Sequence, residues 1–300
     1  MKNIKEFIMR FIQGFCMALA DSVPGVSGGT IAFLLHFYDD FINSLDDLFK
    51  GNMEKKKEAL RFLIKLGIGW AIGFLLSATL LVSLFNKKIY ILSSLFLGFI
   101  IFAIPIVIVE EKEVLKKKYS NFIFTLLGMA LVVTISLLNT SSGLIKTGNI
   151  SHLNFGLAIY IFFAGMIAIS AMILPGISGS TLLLIFGLYI PVMNSIKEVL
   201  HFNLSYLPPL IIFGFGVIVG MIFFVGLIKK CLKEYRSQTI YAIIGMMLGS
   251  LYAIVMGPTT LNKPMAYMTF STFSPWAFIL GAFIIYGLQL LKKVMEKNID

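Results

Sequence analysis

The chain has 300 residues, 58% of them hydrophobic and only 13% charged, with a mean hydropathy of +0.91 and a net charge of +10. A soluble domain carries roughly 25% charged residues, and a single soluble core stops growing near this length. A soluble enzyme, a nucleic-acid binder and a secreted disulfide scaffold are therefore excluded. What remains is an all-α polytopic membrane protein. The stretches 68–85, 89–109, 122–138, 207–228, 239–257 and 278–291 are nearly free of charge, and several approach the ~20 residues that a helix needs to cross ~30 Å of hydrocarbon.

Taken in chain order, residues 5–20 form a first predicted helix. Its basic front and the Ala18-Leu19-Ala20 end resemble a signal peptide. An equivalent segment recurs mid-chain, where no signal peptide acts, so 5–20 is read as part of the fold. Pro24 and Gly25 then break the helix, and Gly28-Gly29 loosens the backbone. A second helix is predicted over 30–45, followed by three long apolar helices.

The same order repeats. Residues 23–45 (VPGVSGGTIAFLLHFYDDFINSL) align without gaps on 174–196 (LPGISGSTLLLIFGLYIPVMNSI). Pro24/Pro175, Gly25/Gly176, Ser27/Ser178, Gly28/Gly179, Thr30/Thr181, Tyr38/Tyr189, Asn43/Asn194 and Ser44/Ser195 are identical pairs. Downstream, Gly67, Gly69 and Gly73 share their spacing with Gly214, Gly216 and Gly220. The chain thus reads as a single membrane domain of two repeats, 1–139 and 140–300. In the second, helices are predicted over 155–172 and 181–197, ahead of three more long ones. Gly69-xxx-Gly73 and Gly216-xxx-Gly220 lie inside apolar helices, where small residues let helices approach closely.

Most of the 25 Lys and Arg residues fall at the termini and in the segments 50–65, 112–118 and 229–236. Placing these in the cytoplasm satisfies the positive-inside rule, with both termini inside. The loop after the first motif hairpin (5–45) is then inside, and the loop after the second (155–197) outside. The halves are inverted, an arrangement found in secondary transporters with broken helices. Each hairpin is expected to be re-entrant; ten full spans is the alternative.

If the motif tips lie at mid-membrane, Ser27, Gly28, Gly29 and Thr30, with Ser178, Gly179, Ser180 and Thr181 from the second copy, offer backbone N–H groups and hydroxyls to a phosphate or carboxylate. Pro24, Gly25, Pro175 and Gly176 shape the backbone there. The bland reading of the same residues is capping and close packing. Carboxylates at membrane depth are costly and point to function. The repeat does not reproduce them: Asp21 aligns with Met172, and Asp39 and Asp40 with Ile190 and Pro191. Asp21 is the first candidate for a proton or substrate role and Asp39 the second. Glu110, Glu111 and Glu113 read as a solvated loop, Arg10 as interfacial, and His36, aligned with Gly187, as a packing residue. Cys16 and Cys231 sit in or beside apolar segments, so no disulfide, metal or cofactor is implied. Gly-x-Ser-Gly at 25–28 and 176–179 also occurs in intramembrane serine proteases. A nucleophile needs a base within reach, however, and none of His36, His152 and His201 is repeated. A transporter is expected, not an enzyme.

On residues 21–45 and 174–189 the chain resembles the bacterial PopT-type polyprenyl-phosphate translocases. The one departure is His36, where a glycine before the tyrosine is more typical. The resemblance implies a plasma-membrane flippase that returns undecaprenyl phosphate from the outer to the cytoplasmic leaflet, so that cell-envelope polymers such as peptidoglycan can be built. Bringing negative charge inward against the membrane potential costs ~2.3 kcal/mol per charge per 100 mV, so proton coupling is expected. A transporter or channel for a small soluble anion is the competing expectation.

Overall fold

The computed structural model describes residues 2–21, 27–116, 119–141, 150, 153–260 and 265–297. No strand occurs among them. In chain order the helices are α1 (Lys2–Asp21), α2 (Gly28–Leu34), α3 (Tyr38–Lys50), α4 (Met53–Glu110), α5 (Lys112–Lys116) and α6 (Phe122–Ser141). These are followed by α7 (Phe155–Ile173), α8 (Gly179–Ile185), α9 (Tyr189–Leu200), α10 (Leu207–Glu234), α11 (Arg236–Met256) and α12 (Pro275–Lys297). The 58 residues of α4 are two helices joined across a kink at Lys88 (φ −141°, ψ 33°). Among the described residues, six helices are long and apolar enough to cross a membrane. This is a multi-pass membrane protein.

Four of those six helices coincide with long helices expected from the sequence. A fifth, Met53–Leu76, departs in part: it shares only 68–76 with the expected stretch 68–85 and extends back through the basic segment expected as a loop, which is helical from Met53. The sixth is α7, expected only as a hairpin arm. At 19 residues and ~1.5 Å per residue it is nearly as long as the hydrocarbon is thick. The last expected span is represented by the shorter apolar stretch Pro275–Gly287 of α12.

The second arms of the motif hairpins depart from expectation. Continuous helices over 30–45 and 181–197 are not formed; each is split in two. In the first, His36 takes φ +56°. There the His36 N–H reaches the Phe33 carbonyl, and the Phe37 N–H reaches Ala32. In the second, Gly187 takes φ +64°, its N–H reaches Leu184, and the Leu188 N–H reaches Leu183. Both are Schellman C-caps, which satisfy the last carbonyls of a helix by turning one residue left-handed. Helix then resumes at the matched tyrosines, Tyr38 and Tyr189. The seven-residue α2 and α8 that result are each only ~10 Å long.

Packing follows the repeat. α1 lies against the first part of α4, and α7 against α10. The contacts correspond: a Cβ on Gly69 would sit 2.0 Å from the Phe11 carbonyl oxygen, and one on Gly216 would sit 2.1 Å from that of Phe162. The next helices cross over. The second part of α4 packs on α12, from the other half, and α11 packs on α6. Gly98 abuts Phe278 in the first of these contacts, and Gly245 abuts Thr125 in the second. These central helices are the most enclosed, with 56% of the span Lys88–Glu110 and 61% of Arg236–Thr259 buried. The outer helices turn large apolar side chains outward, among them Phe215, Phe223, Phe283 and Leu290. That surface suits lipid and not water. The core gathers Ile100, Ile240, Ile243, Met247 and Ile254 around α2 and α3.

Candidate functional site

The first motif copy meets the second. Ser27, extended at φ −127°, caps α2 through its side chain, accepting from the Thr30 N–H at 3.3 Å. The same hydroxyl donates to the Leu174 carbonyl at 2.9 Å. Thr30 Oγ1 accepts from the Gly176 N–H at 2.8 Å. Both side chains are fully buried. Between them a Cβ on Gly29 would lie 2.3 Å from the Ile173 carbonyl oxygen, so only glycine admits the α7 backbone here. Gly176, at φ +87°, rests on the Met246 main chain. The two copies thus form a polar seam between the halves, made from main chain and two hydroxyls.

On one flank of this seam lies Asp21, the last residue of α1. Its Oδ1 accepts from the Gly28 N–H at 2.6 Å, and its Oδ2 from Trp70 Nε1–H at 3.1 Å. A Cβ at position 28 would intrude to 2.7 Å of that carboxylate, so the glycine admits the acid. In the second copy Met172 stands where Asp21 stands in the first, 2.4 Å from a Cβ built on Gly179. The spatial relation is the same, but one side is acidic and the other apolar.

The remaining expected site residues distribute as follows. Ser178 and Gly179 are buried at the start of α8, Thr181 is half-buried, and Ser180 lies on the same helix. Pro175 is buried beside Gly176. Pro24 and Gly25 lie outside the described residues. Among the described residues no cluster of His, Cys, Asp and Glu could hold a metal.

Asp39 belongs to a different constellation. It lies in the first turn of α3 and pairs with Arg236 Nη1 at 3.0 Å, while Arg236 also grips Glu111 through Nη2 (2.6 Å) and Nε (3.3 Å). His36 pairs with Glu110. Nearby, Asp46 bridges Lys50 and Lys229, each at 2.9 Å. Burial pushes the Asp46 carboxyl up, but hydrogen bonds from Lys229 and Lys50 outweigh it and hold the group below its ordinary value. Arg10 lies over the Phe62 ring at 4.6 Å and reaches Asp40 at 3.3 Å. The expectation of a solvated acidic loop is corrected here for Glu110 and Glu111, while Glu113 is exposed on α5. Glu110 ends α4 and Glu111 caps it, and both are held by side chains of other elements, His36 and Arg236. Two cavities open in this region, of about 250 and 150 Å³, and Asp39 and Arg236 line both.

A family model described as undecaprenyl phosphate translocase-like matches residues 17–272. The chain belongs to that family. A protein of Staphylococcus aureus named polyprenyl-phosphate transporter is 38% identical over 259 residues, covering 84% of this chain and 87% of the relative. One of Vibrio cholerae serotype O1, with the same name, is 31% identical over 256 residues, covering 82% of this chain and 77% of the relative. No solved structure matches significantly. Membership of the translocase-like family makes the chain a transporter and not an enzyme.

Sequence reasoning singled out the motif and Asp21 but missed Trp70, Glu111 and Arg236. Trp70 carried a signal, being one of only two tryptophans in the chain and sited where the aligned second half has Val217. Arg236 carried a weaker one. The charge bias already put 112–118 and 229–236 on one face of the membrane, where the acidic start of α3 also lies.

Proposed function

We propose that this protein is a flippase for undecaprenyl phosphate, returning the lipid carrier from the outer to the cytoplasmic leaflet of the bacterial plasma membrane. It works by alternating access between inverted repeats, 1–139 and 140–300, each a re-entrant motif hairpin with three spanning helices. Both termini are cytoplasmic. Family membership and two relatives named polyprenyl-phosphate transporter support the substrate class. The observation that carries the mechanism is the seam itself. An internal carboxylate, Asp21, already sits on two convergent donors, Gly28 N–H and Trp70 Nε1–H.

The chemistry follows from that occupancy. Two N–H donors that hold a carboxylate also suit a phosphate oxygen, because both are anionic acceptors. Protonating Asp21 removes its charge and weakens its hold, freeing the donors for the head group. As the halves part, the hydroxyls of Ser27 and Thr30 leave Leu174 and Gly176. They join Gly28 and Gly29, and Ser178, Gly179, Ser180 and Thr181 from the other side, as phosphate donors. The proton offsets one negative charge, worth ~2.3 kcal/mol per 100 mV of inside-negative potential. Asp39, paired to Arg236, is the second proton candidate. The prenyl chain stays in lipid along the apolar outer surface.

Liposomes containing polyprenyl phosphate test the proposal by following outward-accessible phosphate with and without a pH gradient. Wild type should redistribute the lipid faster with the gradient. Gly29→Leu, which drives a side chain into Ile173, should abolish redistribution, and Asp21→Asn should remove the gradient dependence. Full, gradient-sensitive transport in Asp21→Asn would refute the proton role. Uptake of inorganic phosphate with no lipid movement by folded wild type would replace the flippase with a soluble-anion transporter.

A further inference from the structure

The larger cavity, about 250 Å³, lies between α3, α10 and α11, away from the motif seam, and its polar lining is Asp39, Asn43, Lys229, Lys233 and Arg236. Three cations face one carboxylate. Two of the cations are engaged: Lys229 holds Asp46 and, at 3.5 Å, Asp47, and Arg236 holds Glu111 and Asp39. Lys233 forms no ion pair with another described residue, though it stands in the same wall.

The geometry of Arg236 defines what the cavity accepts. Its Nε and Nη2 are committed to Glu111 as a two-pronged pair, leaving Nη1 to Asp39 alone. Asp39 is about half exposed. It is the more easily displaced of the two carboxylates, because exposed ion pairs contribute only about 0–1 kcal/mol. An anion that replaces Asp39 at Nη1 enters a cavity whose wall also carries Lys233 and Asn43. A single guanidinium N–H with a lysine in the same wall suits a phosphate oxygen, because hydrogen bonds between charged partners are the strong ones. The volume falls below the roughly 300–1,000 Å³ typical of sites that enclose a whole small-molecule ligand. It holds a head group and leaves a long chain outside.

From these observations we propose that this cavity is a second phosphate-monoester site, in which the phosphate exchanges with Asp39 on Arg236 and is completed by Lys233. The choice of ligand rests on the flippase reading above. On that reading the cavity lies at the cytoplasmic end, where it receives the head group after it leaves the seam. Asp39 then has a defined part as the internal anion that competes for Arg236 and expels the phosphate.

Equilibrium binding tests the site without requiring transport. Purified protein in detergent is titrated with undecaprenyl phosphate in one arm and inorganic phosphate in the other, with thermal melting recorded for every variant. Lys233→Glu replaces an exposed side chain and leaves the fold intact; it should weaken binding at least tenfold. Asp39→Asn, which removes the competing anion, should tighten binding several-fold. Both effects should shrink in high salt. If they appear in the lipid arm, the site takes the lipid head group; if only in the inorganic arm, it takes free phosphate. Unchanged affinity in both arms for both variants would overturn the proposal. Wild type that binds in this way yet moves no lipid in liposomes would keep the cavity and defeat the flippase. Lipid movement with unaltered binding would do the reverse.

Discussion

His36 and Gly187 occupy the same place in the two repeats, and the backbone explains why a glycine belongs there. Both turn left-handed to close a Schellman cap, a conformation that costs an L-residue with a side chain roughly 1–2 kcal/mol. His36 bears that cost and recovers part of it through its partly buried contact with Glu110. His36→Gly relieves roughly 1–2 kcal/mol of strain and gives back about 0.4–1 kcal/mol to the freer unfolded chain, so it should stabilise the protein slightly and raise the melting temperature. Gly187→Ala should lower stability by about 1–2 kcal/mol. Thermal melting in detergent checks both, and a large loss on His36→Gly would mean that the pair with Glu110 outweighs the strain. The departure at position 36 was visible in the sequence, as was the isolation of Asp21 opposite Met172. Their partners were not. Trp70 reaches Asp21 across 49 positions of chain, and no local pattern encodes such a contact.

At the scale of elements, legibility followed length. Helices that need ~20 apolar residues to cross a membrane announce themselves by composition alone. The paired glycines at 69 and 73, and at 216 and 220, likewise announced close helix packing, and the structure supplies the partners, α1 for α4 and α7 for α10. The splits inside the hairpin arms were missed because the apolar run continues through them. Only Gly187, ahead of Leu188 and Tyr189, betrayed a cap, and its counterpart in the first copy is a histidine. The tie between α3 and α10 was equally hidden, since it depends on Asp46 meeting Lys229. That tie predicts a pH response. The folded-state Asp46 carboxyl titrates below its ordinary value, so its contribution is fully present above the unfolded value near 3.9. It is lost as pH falls through the lower folded value. Melting curves of wild type and Asp46→Asn should therefore differ at neutral pH and converge below about pH 4. A constant difference across that range would show that Asp46 acts there without its charge.

Across the whole molecule, the crossed packing makes neither half self-sufficient. The second part of α4 finds its partner in α12 and α6 finds its partner in α11, so each half lends its third long helix to the other. The motif seam adds two more hydrogen bonds between halves, through Ser27 and Thr30. The repeat could be read from sequence because identical residues recur at constant spacing. The exchange of helices could not, because nothing in an apolar helix names the half on which it packs. The exchange predicts how the protein behaves when its connection is severed. A protease site placed within residues 142–149 and cut in the purified protein breaks the covalent link but none of these contacts. The fragments should still elute together on size exclusion in mild detergent and separate only in a denaturing one. Leucine at both Gly98 and Gly245, each within 2.1 Å of a facing carbonyl oxygen when given a Cβ, should loosen both crossed pairs and release the fragments in mild detergent. Fragments of the unsubstituted protein that part on cutting alone would mean that the chain connection, and not the crossed helices, holds the halves together.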